Sequence, residues 1–386
     1  MSDLASADWL KNPEVMAIFA ALDGDRHRTR AVGGIVRDTI MGREHGGDLD
    51  MATELVPDDV MSRARAAGIA AYPTGIDHGT VTLRLGETVA EVTTLRRDVE
   101  TDGRHAVVAF GTDWAADASR RDFTLNALYC ASDGELFDPL GGAADASNEV
   151  VRFIGDPAER IAEDGLRVYR FFRLSTSHGR GLFDPDGLAA SADAVTRLEH
   201  LSRERIGSEI MRMLALPRVA KTLSVMSQIQ LLPVGEDRLV ALARYESIGG
   251  HSPATRLALL AGDGLDLVQS RWRLSNDTIA AARAVGGAAR LMADDRLAEA
   301  AYRYGEAAVE GLAMTASLHQ WGPSRLSEAA RVLASTVVPG FPVTGHDLAD
   351  LGIAPGPALG RELSRLEQAW IDSGFALGKA ELLALV

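Results

Sequence analysis

Between Arg30 and Thr53 the hydrophobic period of the chain changes twice, and this restricts the local fold more than any other feature. Arg30-Ala31-Val32 has strand character, Gly33-Gly34 marks a bend, and Ile35, Val36, Ile40 and Met41 recur at helical spacing. After Gly42 the stretch Asp48-Leu49-Asp50-Met51-Ala52-Thr53 alternates again. The pattern predicts one strand, turn, helix and strand unit. In an extended strand alternate side chains share a face, so Asp48 and Asp50 project together, roughly 6–7 Å apart at their roots, with Leu49 and Met51 turned into a core. Two convergent carboxylates suit a hard cation such as Mg2+, which is usually held by one or two carboxylates and substrate phosphates. Gly33 and Gly34 add backbone that can approach a phosphate, ahead of a helix start whose N–H groups favour an anion. Each half alone is a common turn; together they predict a metal seat at Asp48 and Asp50 beside a phosphate cradle.

A chain of 386 residues with 46% hydrophobic content is expected to fold as two or more globular domains. No eighteen apolar residues follow one another, and the N-terminus lacks a basic segment leading into an apolar run, so a soluble cytoplasmic protein without a membrane span is expected. The single Cys130, within Leu128-Tyr129-Cys130-Ala131, excludes an intramolecular disulfide and a cysteine-based zinc cluster, and reads as a buried, inert thiol. A formal net charge of −14 argues against a broad electrostatic grip on nucleic acid. Residues 151–220, however, carry eleven arginines against ten acidic residues, so the acid excess lies elsewhere and a local basic surface is compatible with it. Only Lys11, Lys221 and Lys379 are lysine, which makes arginine the default cation and its spacing the only informative property.

A short opening helix is expected with Asn12 as N-cap, Pro13 in the first turn, and Val15, Ile18, Phe19 and Leu22 on one face. A helix over 57–67 and strands at 80–85 and 89–94 follow, whereas 97–120 lacks periodicity and is expected to be a mobile connection near a site. After Asp138-Pro139-Leu140-Gly141-Gly142 strand patterning nearly vanishes and Ala, Leu and Arg take over at helical spacing. The fold class expected is α+β: an N-terminal mixed sheet with helices, then an all-helical region.

Three further clusters stand behind the acidic pair. They are Arg120-Arg121-Asp122-Phe123-Thr124-Leu125-Asn126-Ala127, Asp138-Pro139-Leu140-Gly141-Gly142, and Arg152-Phe153-Ile154-Gly155-Asp156-Pro157, which continues through Glu163-Asp164-Gly165-Leu166-Arg167 to Arg170 and Arg173. In this order they resemble the class II tRNA nucleotidyltransferases, the CCA-adding enzymes, and the related bacterial poly(A) polymerases. Arg203-Glu204-Arg205-Ile206 with Glu209 is similar to the last motif of that shared core, so the resemblance spans about residues 28–215. It implies a polymerase beta-like nucleotidyltransferase head over 1–145, a helical neck over 146–220 that binds the nucleotide base and RNA, and a helical body and tail over 221–386 that bind tRNA. The implied activity is template-independent addition of the terminal CCA of tRNA from CTP and ATP, with Mg2+ and release of pyrophosphate. Poly(A) polymerases and specialists that add only CC or only A share these motifs. An inactive RNA-binding protein on the same fold is the alternative from another class, and the intact Asp48 and Asp50 argue against it.

The resemblance also implies roles. Asp48 and Asp50 would hold two magnesium ions, and Glu91, by position, is the candidate third carboxylate, with a solvated strand glutamate as the alternative. Gly33, Gly34 and Arg37 would bind the β- and γ-phosphates, and Arg121 the nucleotide, while Asp122 and Asn126 would be local scaffolding or sugar contacts. Asp164 and Arg167, three apart on a helix, would form a surface ion pair worth about 0.3–0.5 kcal/mol on spacing alone. In the family reading they recognise a base edge. Cytosine and adenine both present an amino donor beside an unprotonated ring nitrogen, which a carboxylate and a guanidinium match, whereas uracil and guanine leave those groups unpaired. Arg173 falls nearly opposite Asp164 around the helix, so Arg170 and Arg173 are assigned to phosphate or to support of that pair. Oligomeric state is not legible.

Overall fold

The structure is a computed structural model that describes residues 4–44, 47, 49–101 and 106–386. They form two compact units, Met1–Pro233 and Val234–Val386. The first contains a seven-stranded sheet in the order β3-β4-β5-β2-β1-β8-β9. Its strands are β1 (Thr29–Val32), β2 (Leu49–Thr53), β3 (Ala70–Gly75), β4 (Thr80–Leu85), β5 (Thr88–Thr94), β8 (Tyr129–Cys130) and β9 (Leu136–Phe137). The β2 and β5 pair is parallel and the others are antiparallel, which makes the sheet mixed, as the α+β expectation requires.

Alternation explains the strands. Leu49 and Met51 in β2, Val81 and Leu83 in β4, and Ala90 and Val92 in β5 are all buried, while Asp50 and Glu91 between them are exposed. The opening helix Pro13–Ala21 is capped as its sequence demands: Asn12 accepts from the Glu14 N–H, and Val15, Ile18 and Phe19 are buried. A helix over Pro57–Ala66 lies where the pattern places it.

Residues 97–120 differ from the expected mobile connection. They hold the antiparallel ribbon β6 (Arg96–Thr101) and β7 (Ala106–Phe110), then a helix over Trp114–Ser119 that Asp113 caps through the N–H groups of Ala115 and Ala116. The two strands form a sheet of their own, so the alternation of the main sheet does not carry over to them.

Behind the sheet, Phe123 packs against Phe153 and Phe171 at ring separations of 4.8 and 6.3 Å, and Phe171 also meets Phe172 and Phe183. This aromatic cluster joins the 120–127 segment to the helix Leu166–Ser177, called the neck helix below. Cys130 is buried, and burial pushes its thiol up to about 12, consistent with an inert side chain.

The second unit is helical, with no strand among its described residues. Trp370 anchors one cluster with Leu348, Leu366 and Leu382, and Met292, Ala288 and Leu312 form another. No helix of the described residues is long and apolar enough to cross a membrane.

Phe171→Ala should leave a large void in the aromatic cluster and cost about 3–5 kcal/mol of stability in the first unit. Urea unfolding followed by circular dichroism checks this: a loss below 1 kcal/mol would mean that the cluster does not hold the neck helix.

Candidate active site

Strand register assembles the acidic face. β2 and β5 run parallel with Asp50 directly beside Glu91, and Thr82 of β4 lies on the other side of Glu91. Neighbours in register project to the same face, so both carboxylates stand on one exposed surface. Asp48, the other predicted ligand, lies outside the described residues. The donors that are present are all oxygen, the chemistry that a hard cation such as Mg2+ prefers.

The glycine turn stands beside this face because β1 is antiparallel to β2, with Ala31 opposite Met51. Gly33 has φ 74° and ψ −122°, a conformation that side-chain-bearing residues rarely adopt, and its N–H donates to the Leu128 carbonyl at 3.1 Å. A Cβ built at Gly33 or Gly34 would meet nothing closer than 3.7 Å, so the side of the turn away from the core is open. The turn helix Gly34–Ile40 then buries Ile35, Val36 and Ile40.

Arg37 of this helix is nearly buried and already engaged. Its Nε and Nη2 donate to the two oxygens of Asp38 at 2.8 and 3.0 Å, and its Nη1 donates to Asn126 Oδ1 at 2.7 Å. Three of the five N–H groups of a guanidinium are thus used, leaving two for an anion. Burial alone would raise the Asp38 carboxyl, but His178 and Arg37 outweigh it and hold it below the usual carboxylate range. The His178 Nε2 lies 3.1 Å from Asp38, and burial lowers that imidazole.

Asp117 organises the arginines of the 120–127 segment. It is 1% exposed and accepts from Arg120 Nε at 2.9 Å, from Arg121 Nη2 at 3.1 Å and from the Tyr129 hydroxyl at 2.8 Å. Arg121 also donates to the Tyr129 oxygen at 3.0 Å. Burial opposes the charge of Asp117, and Arg121 and Arg120 reverse the balance, so its carboxyl stays low. Neither Asp117 nor Tyr129 is a sequence-predicted site residue. The spacing to Arg120 and Arg121 was a usable signal, hidden by the reading of 97–120 as a loop.

The neck closes over this segment with a row of arginines. Arg160 Nη1 donates to the Ser119 carbonyl at 3.1 Å, Arg167 Nη2 to the Arg120 carbonyl at 3.3 Å, and Arg170 Nε to Asp122 Oδ2 at 2.7 Å. Asp122 is buried and also accepts from Asn126 Nδ2 and from the Phe123 N–H. Burial pushes its carboxyl up, Arg170 more than compensates, and the group stays below the usual range. Arg173 turns elsewhere and donates to the buried Glu209 at 2.6 Å.

Asp164 departs from the expected helical pair with Arg167. It sits in extended conformation between the helix Pro157–Glu163 and the neck helix, where its Oδ1 accepts from the Leu166 N–H and its Oδ2 from Arg205 Nη2 at 2.9 Å. Asp164 itself leaves helical geometry, with φ −147° and ψ 102°, whereas Gly165 is already helical, so the run that spacing alone reads as continuous is broken at Asp164, whose carboxylate takes up the otherwise free Leu166 N–H. Arg167 instead bonds Glu163 at 2.6 Å and the Arg160 carbonyl. A cleft of about 890 Å³ opens beside Asp164 and Arg205, with Ile161, Leu198 and Leu201 in its wall.

Residues 29–152 match the family model of the poly A polymerase head domain. Over 98% of this chain and 92% of the relative, the sequence is 31% identical to human CCA tRNA nucleotidyltransferase 1, mitochondrial. The chain belongs to the CCA-adding tRNA nucleotidyltransferase family. The CCA-adding enzyme of Lacticaseibacillus paracasei is likewise 31% identical over 91% of this chain and 90% of its own length. Among solved structures, the Bacillus stearothermophilus CCA-adding enzyme in complex with CTP superposes with a TM-score of 0.79 at 26% identity, covering 97% of both chains. The Thermotoga maritima CCA-adding enzyme complexed with tRNA, at 18% identity and a TM-score of 0.66, shares the fold. Family membership gives the acidic strand, the glycine turn and the arginine row a common context.

Because Asp38, Asp117 and Asp122 all ionise below the ordinary carboxylate pKa near 3.8, their stabilisation is complete above that value and is lost as pH falls through their folded values. Unfolding free energy should therefore hold steady at weakly acidic pH and drop below about pH 4. Asp122→Asn, which removes one partner of a buried pair, should cost about 3–5 kcal/mol at neutral pH and flatten the acid limb. Unchanged stability at both pH values would contradict this placement of Asp122.

Proposed function

We propose that the protein builds or repairs the 3′-terminal CCA of tRNA, adding CMP and AMP from CTP and ATP and releasing pyrophosphate. The observation that carries this reading is the register of β2 and β5, which sets Asp50 beside Glu91 next to the Gly33-Gly34 turn in a member of this family. Between 91% and 98% of the chain aligns with relatives named for CCA addition, which supports the same reading.

Asp48 and Asp50, with Glu91 alongside, are the residues that would hold magnesium. When bound, magnesium would supply a more acidic 3′-hydroxyl and neutralise charge on the triphosphate. The RNA 3′-oxygen forms a bond to the α-phosphorus as the bond to the β-phosphate oxygen breaks. Pyrophosphate leaves with that electron pair, and the hydroxyl proton passes to solvent. The turn at Gly33 and Gly34 receives the β- and γ-phosphates, assisted by the two uncommitted N–H groups of Arg37.

Base choice falls to Asp164 and Arg167. The Asp164 oxygens retain lone pairs for an amino donor, while Arg167 retains its Nε–H and one Nη2 hydrogen for a ring nitrogen. Arg121 contacts the nucleotide from the 120–127 segment, and Arg170 and Arg173 support the neck. The helical residues 221–386 hold tRNA by its backbone and shape, as RNA duplexes usually are. In this reading the protein works in the cytoplasm.

With tRNA lacking its CCA end, CTP and ATP together should extend the RNA by three nucleotides, and ATP alone should extend it by none. Unlimited adenylate addition to unrelated RNA would favour a poly(A) polymerase. Asp50→Asn should slow addition by about 1,000-fold or more, since each lost ligand removes several kcal/mol of charge stabilisation; unaltered rates would favour a role in RNA binding alone. Arg167→Ala should narrow the preference for CTP over UTP by about tenfold or more, read from the ratio of kcat/KM values. An unchanged ratio would leave Arg167 with no role beyond its bonds to Glu163 and to the Arg160 and Arg120 carbonyls.

A further inference from the structure

We infer that Asn126 is a positioning residue for nucleotide selection, joining the phosphate turn to the base-reading neck helix through one chain of hydrogen bonds. The inference rests on the function proposed above and adds a residue to its machinery. Asn126 Oδ1 accepts from Arg37 Nη1 at 2.7 Å, and Asn126 Nδ2 donates to Asp122 Oδ1 at 3.1 Å. The other oxygen of Asp122 takes Arg170, through Nε at 2.7 Å and Nη2 at 2.5 Å. The chain thus runs from Arg37 through Asn126 and Asp122 to Arg170, without a solvent gap.

The chemistry of the two neighbours demands an amide at this position. A guanidinium can only donate, and an ionised carboxylate can only accept, so the residue between Arg37 and Asp122 must accept on one side and donate on the other. Asparagine does both at the available length. Aspartate would place a carboxylate against Asp122, alanine would bridge nothing, and glutamine would be one methylene too long. The ends of the link are also anchored. The Asn126 N–H donates to the Phe123 carbonyl at 2.9 Å, and the Asn126 carbonyl oxygen is the nearest atom to a Cβ built at Gly33, at 3.7 Å. Arg170 lies on the neck helix one turn beyond Arg167.

The consequence is a fixed separation between the parts that receive the triphosphate and the base. Selectivity is a difference in transition-state binding between rival bases, and a displacement of about 1 Å can cost about 100-fold in rate. Without the Asn126 link the two ends can shift relative to each other. A wrong base then gains contacts that the rigid arrangement denies it, while the correct base loses some of its own.

The test is a comparison of Asn126→Ala and Asn126→Asp with the native chain, using tRNA lacking CCA, with CTP and UTP supplied separately and thermal melting recorded for each protein. Both variants should lose about tenfold or more in the ratio of kcat/KM for CTP to that for UTP, with the rise in KM for CTP larger than the fall in kcat. Asn126→Asp keeps the Arg37 bond and the side-chain shape, so it isolates the link to Asp122. A variant that melts earlier yet keeps the native CTP to UTP ratio would show a merely structural residue and overturn the inference. Should Asn126→Ala not fold, Asn126→Ser and Asn126→Asp are read by the same ratio. A native chain that adds no nucleotide to tRNA would count against the proposed function itself, a result distinct from native addition with unchanged selectivity in the variants.

Discussion

A carboxylate removed from water must find a cation or give up its charge, and at Asp122 this requirement ties two distant segments of the first unit together. Its partner, Arg170, comes from a helix 48 residues further along the chain. Breaking such a buried pair from one side costs about 3–5 kcal/mol, so the 120–127 segment and the neck helix are held in one arrangement. The rings of Phe123 and Phe171 reinforce the contact from the apolar side. Once these elements are fixed, Asn126 and Arg37 follow on one flank, and the row formed by Arg160, Arg167 and Arg170 on the other.

The acidic face arises from a different constraint. A parallel pair needs a crossover, here the helix Pro57–Ala66 with strands β3 and β4, and the result is that residues remote in sequence become lateral neighbours. Asp50 and Glu91 meet because their strands are in register, and a slip of one residue would turn one of them into the core. The burial of Leu49 and Met51 against the exposure of Asp50 fixes that register from the apolar side. The proposed metal seat is thus placed by core packing, which holds Asp50 and Glu91 on one face.

Local patterns were legible where hydrophobic period and chemistry coincide. Asn12 and Pro13 mark a helix start, Leu49 and Met51 mark a strand, and Gly33 marks a turn that its positive φ requires. The ribbon β6 and β7, a sheet separate from the main one, was not legible. The Asp164 and Arg167 spacing also misled. Helical geometry assumes a continuous helix, and the chain is extended at Asp164, so Asp164 accepts from the Leu166 N–H and pairs with Arg205 instead. Contacts between distant segments, such as Asn126 with Arg37 and Arg173 with Glu209, have no signature in spacing at all. What the motif order implied about family is matched by relatives aligned over nearly the whole chain.

In the proposed function the acidic strand, the glycine turn and the neck form one nucleotide site. A crystal structure of the protein soaked with CTP and magnesium tests it most directly. The triphosphate should lie against Gly33 and Gly34, with metal on Asp50 and the cytosine edge against Asp164 and Arg167. A nucleotide whose phosphates lie away from the glycine turn, or whose base points away from the neck helix, would contradict it.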